Sequence, residues 1–252
     1  MDAEVVLPGV ERTDIAGIPV DIFTEEAIPE AVDAMLASDT YHQIVFLRTW
    51  DLMRARRSPQ FRQCVRESSL SVPVSRGIKR SAGFLRRRPL SRHMPFEFVI
   101  RMLSALEQRN RSVYILGGDK THLHRVEEGI KLTFPGIRVV GRYTGYYPKE
   151  YELNITTAIK KSAPDLLLVG PGISGKDLWV FTHRKLFNPG ICVWSTEVFD
   201  IFSDRKRKPT RQAFLRGTDR ISVLLTHPWR MLRLPVYLWF GLVLLYHRIR
   251  KR

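Results

Sequence analysis

Four short apolar segments, at 112–116, 137–141, 165–169 and 191–194, recur about 26 residues apart, and a helical pattern fills each interval. Parallel neighbours in a sheet need a crossover of this length, usually a helix. The first helix is predicted over 121–134, where Pro135-Gly136 stops it, and the second over 148–159. Upstream, further strands are predicted at 44–47 and 70–74. A helical stripe of Ile28, Ala31, Val32, Met35 and Leu36 precedes them, with Pro29 in its first turn. An Arg-rich helix is predicted over 50–66, and another from Pro95 with Phe98, Met102, Leu103 and Leu106 on one face. Residues 1–23 read as loop and short strands. The pattern defines an α/β chain, a mostly parallel Rossmann-like sheet with helices on both faces. Its ligand site belongs at the carboxyl ends of the strands.

Charge divides the chain. It has 41 Lys/Arg against 25 Asp/Glu, a net charge of +16. Residues 205–252 hold 13 basic residues and one acid, Asp219; residues 54–92 hold 12 and one, Glu67. The rest is net acidic, so the two basic regions are expected to face an anionic partner. We expect a core over 1–204 and a basic, apolar, helical appendage over 205–252. The longest uncharged apolar run, 234–246, has 13 residues, whereas a spanning helix needs about 20. Trp229, Tyr237, Trp239, Phe240 and Tyr246 lie among leucines flanked by arginines, which suits a membrane surface. A nucleic-acid groove would interleave aromatic with basic residues, so the pI of about 10.3 does not by itself favour one. Cys64 and Cys192 stand far apart and supply no disulfide framework, and the acidic start Met1-Asp2-Ala3-Glu4 is unlike a signal peptide.

The sharpest local pattern is Gly170-Pro171-Gly172-Ile173-Ser174-Gly175-Lys176-Asp177, between a strand and a helix. It fits G-x-G-x-x-G, in which glycines let backbone N–H groups approach a pyrophosphate. It misses the P-loop because Asp177 stands where Ser or Thr would bind magnesium. A tight turn with no ligand and a site for a nucleotide sugar or another phosphate both remain open. Gly117-Gly118 and Gly145-Tyr146-Tyr147 also follow strands. His122 and His124 are expected at the surface, no spacing suits a metal, and no G-x-S-x-G motif is present.

Several stretches recur in the order of one family. They are Ile18-Pro19-Val20-Asp21 with Thr24-Glu25-Glu26-Ala27; Leu116-Gly117-Gly118; Val140-Gly141 with Gly145-Tyr146-Tyr147; Leu167-Leu168-Val169-Gly170-x-Gly172 with Asp177 and Trp179; and Phe199-Asp200 before a basic run. From about residue 17 to 233 the chain resembles the WecG/TagA/CpsF glycosyltransferases. The resemblance implies transfer of a sugar from a UDP-sugar to a polyprenyl-diphosphate-linked glycan. The resemblance further implies inversion, no metal or cofactor, and work at the cytoplasmic face of the cell membrane in surface polysaccharide synthesis.

Carried over by resemblance, Gly117, Gly118, Gly145, Tyr146, Gly170, Gly172, Asp177 and Asp200 would hold the nucleotide sugar. Arg205, Lys208, Arg216, Arg230 and Arg233 would meet phosphate or an anionic membrane surface. A second copy of the chain is a further possible partner. The chain departs from the family at the acid–base side. Phe46-Leu47-Arg48-Thr49 replaces T-L-N-P, and Pro73-Val74-Ser75-Arg76-Gly77 replaces P-D-G-x-G, so Val74 stands at the expected general base. Glu97 and Asp177 are the retained acids, the catalytic candidates. An active transferase and a non-catalytic binding or scaffold subunit are the two readings this leaves.

Overall fold

The computed structural model describes residues 7–216 and 234–250. Strands β1 (Glu11–Ile15) and β2 (Ile18–Ile22) form an antiparallel hairpin. Its turn residues Ala16 and Gly17 both have left-handed φ, 56° and 88°, the conformation that matches strand twist. Asp21 fastens the hairpin to the body. Its buried carboxylate accepts from Arg12 Nε at 2.7 Å and from the Ser71 backbone N–H at 2.5 Å. The Asp of the opening motif is therefore a structural tie.

The main sheet has six strands: β3 (Tyr41–Leu47), β4 (Leu70–Pro73), β5 (Ser112–Leu116), β6 (Arg138–Tyr143), β7 (Leu166–Val169) and β8 (Gly190–Trp194). Their order is β4-β3-β8-β7-β5-β6 and every pair is parallel. Side chains alternate along each strand. Ile44, Val113, Ile115, Leu166, Leu168, Ile191 and Val193 pack on one face against helices α1 (Ala27–Ala37), α5 (Pro95–Gln108), α6 (Lys120–Thr133) and α9 (Thr196–Phe202). Val45, Leu47, Tyr114, Leu116, Leu167, Val169 and Cys192 face the other way. There they meet α2 (Thr49–Arg57), α3 (Pro59–Glu67), α4 (Arg76–Phe84), α7 (Glu152–Ser162) and α8 (Asp177–His183). Beyond the core come α10 (Arg211–Arg216) and α11 (Leu234–Arg250). The buried Phe240, Val243 and Leu244 of α11 join the second face.

Two local departures have simple causes. The helix expected over 50–66 is two helices, because Pro59 bars a helical conformation at Ser58. Ser58 is extended and caps α3 by accepting from the Phe61 N–H at 3.2 Å. The strand expected to end at Ser75-Arg76-Gly77 instead leads into helix α4, which buries Ile78, Ser81 and Ala82 and turns Arg76, Lys79 and Arg80 outward, with Ser75 as its N-cap.

From β5 the chain crosses outward to β6, and from β7 it crosses back to β8. The intervening helices α6 and α8 lie on opposite faces, which marks a switch point between β5 and β7. Here the glycines pack on one another. A Cβ on Gly117 would stand 2.7 Å from Gly170 Cα, and one on Gly145 would stand 2.2 Å from Pro171 O. The N–H groups of Gly117, Gly118, Gly145 and Gly170 donate to Tyr143 O, Pro171 O, Gly118 O and Leu116 O at 2.7–2.9 Å. They fuse the three loops, and their bonds are spent within the chain. Gly117 also has φ 148°. We expect Gly117→Ala to cost more than about 2 kcal/mol, since backbone must move. Exposed Gly83 in α4 has nothing within 4 Å of its missing Cβ, so Gly83→Ala should gain roughly 0.5 kcal/mol. Urea denaturation checks both, as shifts of the midpoint at constant m-value.

Candidate active site at the carboxyl edge of the sheet

The loops that follow the strands stand side by side along this edge in sheet order. They are Val74-Ser75, Arg48-Thr49, Trp194-Ser195, Gly170 to Gly172, Gly117-Gly118 and Gly145-Tyr146. Ser75 ties the first two. Its Oγ accepts from the Thr49 N–H at 2.9 Å and lies 2.8 Å from Thr49 Oγ1. Val74 is buried, and its N–H donates to Leu47 O at 2.9 Å.

Next to this pair opens a cavity of about 410 Å³. Arg76, Arg80 and Arg92 line it with Thr49, and Phe84, Tyr237, Phe240 and Leu244 form an apolar wall. Arg92 is nearly buried, stacks 4.3 Å from the centre of the Phe214 ring and donates to Phe214 O. Arg76 donates to Arg216 O. Helix α10 is thereby drawn over the β4 end of the edge. The cavity pairs cations with apolar surface.

At mid-edge, Lys176 Nζ lies 5.3 Å from the centre of the Trp194 ring. Arg48 and Lys206 approach the Glu197 carboxylate at 3.5 and 3.6 Å. At the β5 end, Asp119 accepts from the His122 N–H at 2.8 Å and from Arg205 at 3.0 Å. These bonds, the backbone one first, hold its carboxyl below the usual range. Arg205 also donates to His122 Nδ1 at 3.0 Å. That leaves the imidazole proton on Nε2, 3.8 Å from Asp200 Oδ1.

Two comparisons bear on this edge. A model of the glycosyl transferase WecG/TagA/CpsF family matches residues 13–252. A relative from Bacillus spizizenii, N-acetylglucosaminyldiphosphoundecaprenol N-acetyl-beta-D-mannosaminyltransferase, is 27% identical over 188 residues, covering 73% of this chain and 72% of the relative. The chain belongs to the WecG/TagA/CpsF glycosyltransferase family. Its role is accordingly in the synthesis of cell-surface polysaccharide.

Within this family member the expected residues are placed unevenly. Gly117, Gly118, Gly145, Gly170 and Gly172 meet at the switch point as close backbone contacts, and Tyr146 is exposed beside Gly172. Asp200 lies at the edge near His122. Contrary to the surface expectation, His122 is buried, as are His42 and His93, while His124 is exposed. Helical periodicity alone places residues 122 and 124 on different sides; which side the core takes is tertiary information.

The basic run meets the body's own acids. Arg205 holds Asp119, Lys208 lies 3.1 Å from Glu97, and Arg211 lies 3.2 Å from Glu25. Glu97 therefore sits in a groove between α5 and residues 208–211, apart from the arginine cavity. The Arg216 carbonyl accepts from Arg76. Arg230 and Arg233, with the 221–225 stretch and Trp229, lie outside the described residues. Among the described residues, no group of three or more His, Cys, Asp or Glu could hold a metal ion. Glu197 was missed because a lone glutamate in a helix's first turn reads as a favourable dipole partner.

Asp177 lies inside the protein, with its carboxylate buried. Its carbonyl accepts from Gln43 Nε2 at 2.9 Å. Burial first, and then the neighbouring Asp51, push its pKa up from 3.8 to about 7. The unfolded chain gives up this proton near pH 4 and the folded chain only near pH 7. The fold therefore holds the extra proton in between, and stability falls as pH rises through that window. Asp177→Asn should match the parent below pH 4 and exceed it above pH 7, by at most on the order of 4 kcal/mol. Thermal unfolding at a series of pH values checks this.

Proposed function

We propose that this chain is a transferase that moves a sugar from a UDP-sugar to a polyprenyl-diphosphate-linked acceptor, working on the cytoplasmic surface of the cell membrane. The arginine cavity carries the reading. Arg80, beside the guanidinium groups of Arg76 and Arg92 that hold the Arg216 and Phe214 carbonyls, gives the cavity the positive charge a diphosphate needs. The wall of Phe84, Tyr237, Phe240 and Leu244 suits the first isoprene units. The name of the Bacillus relative describes an acceptor of this chemistry. The nucleotide sugar would lie along the central crevice, with its diphosphate toward Lys176 and its nucleoside toward Asp200 and Tyr146.

Membrane contact belongs to the same proposal. Among the described residues no helix is long and apolar enough to cross a membrane. Helix α11 buries Phe240, Val243 and Leu244 and exposes Leu238, Trp239, Leu242, Leu245 and Tyr246. Exposed apolar and aromatic residues on a helix that carries Arg248 suit an interfacial helix that lies along the surface. Each basic residue near an anionic leaflet adds about 1 kcal/mol. Val74 favours the second reading, a binding subunit without turnover, because it leaves the expected base position with no carboxylate.

The first test is isothermal calorimetry of the full chain with UDP and a panel of UDP-hexoses and UDP-N-acetylhexosamines, in EDTA. Binding of UDP without metal is expected; no heat with any of them would remove the donor site. The second is flotation with anionic liposomes. Binding should weaken in high salt and drop at least tenfold in Leu238→Glu/Leu242→Glu, which leaves the buried side of α11 intact. Equal binding by that variant would show that α11 serves another contact.

A further inference from the structure

With valine at position 74, the acceptor hydroxyl needs another group to take its proton. We propose that Glu197 is this general base, an inference that rests on the transferase reading. Glu197 opens α9 directly after β8, the strand that flanks β3 on the side away from β4. Val74 bonds to Leu47 at the end of β3, and the next residue, Arg48, reaches Glu197 Oε2 at 3.5 Å. Neighbouring strands stand about 4.8 Å apart. The β4 and β8 loops therefore straddle β3 by roughly 10 Å, a gap that a glutamate side chain and one sugar ring cross.

The other carboxylates of the edge have different engagements. Asp177 is buried. Asp51 accepts from the Arg48 N–H at 2.8 Å and caps α2. Asp119 caps α6 and holds Arg205. Glu97 pairs with Lys208 in its separate groove. Glu197 is only 15% exposed, and its two cationic neighbours stand at 3.5 Å or more. They orient the carboxylate and leave room for a donor hydroxyl at hydrogen-bond distance. The charged groups around it are Arg48 at the start of α2, Lys206 beyond α9, and Lys176 over Trp194. Asp200 on α9 itself and His122 on α6 lie further along.

In the step, the acceptor hydroxyl oxygen attacks C1 of the donor sugar on the face opposite UDP. The C1–O bond breaks and its electron pair leaves with the diphosphate, whose charge Lys176 offsets. The hydroxyl proton passes to Glu197, and the anomeric centre inverts.

The test measures turnover of the full chain with the UDP-sugar panel on N-acetylglucosaminyl diphosphate carried by a short polyprenyl chain, beside UDP binding. Glu197→Gln should lower kcat by about 10²–10⁴-fold with UDP affinity within threefold of the parent. It should also remove the fall in kcat on acidification. Glu197→Asp should keep more activity than the Gln variant, and Val74→Asp added to Glu197→Gln should restore turnover. If Glu197→Gln does not fold, the parent's pH profile and Glu197→Asp decide, with an acid limb that moves in the variant as the expected result. A Gln variant within threefold of the parent in kcat overturns the assignment. So does a parent that binds UDP yet transfers nothing, or one whose rate has no acid limb. Failure to bind UDP at all removes the transferase reading beneath it.

Discussion

Backbone meets backbone at Gly117 and Gly170, and the carboxyl edge depends on that contact. The crossovers from β5 and β7 leave in opposite directions, so their loops would part unless something held them. Absent side chains allow hydrogen bonds at 2.7–2.9 Å to join the loops after β5, β6 and β7 into one unit. That unit fixes where α6 and α8 begin, and with them Asp119, His122, Lys176 and Asp177. Any Cβ at Gly117 or Gly145 would meet main-chain atoms within 3 Å. Main chain in a packed sheet has nowhere to go.

Electrostatics shapes the rest of the edge. An acidic body carries two basic regions, and the first half of the C-terminal one lies against body acids at Asp119, Glu197, Glu97 and Glu25. Exposed ion pairs are each worth only about 0–1 kcal/mol and weaken in salt. They orient the segment after α9 more than they cement it. The nearly buried Arg92, stacked on Phe214 and bonded to its carbonyl, is a different kind of contact. A desolvated guanidinium holds geometry, so α10 is seated by Arg92 and positioned by the exposed Arg76 and the outer pairs.

Much of the architecture was legible in the residues. The strand-and-helix rhythm after residue 112 and the glycines at strand ends follow from local pattern and from the crossover rule. Helix α4 was not predicted, because its buried side holds one large apolar residue, Ile78, beside Ser81 and Ala82. Nor was the break at Ser58, although Pro59 was there to signal it.

The sequence alone determined the period of each element, the loops that could take left-handed glycine and the family to which the chain belongs, because these depend on neighbours along the chain. It also determined that Val74 can accept no proton. Tertiary structure decided that β8, the last strand of the sheet, enters between β3 and β7; short apolar strands carry no label for their partners. It decided that Asp177 is buried and Glu197 is not, that His122 lies inside between Arg205 and Asp200, and that the basic run meets the body's acids. Burial and ion pairing join residues more than a hundred positions apart, as Arg48 and Glu197 are, and no local pattern encodes such a distance.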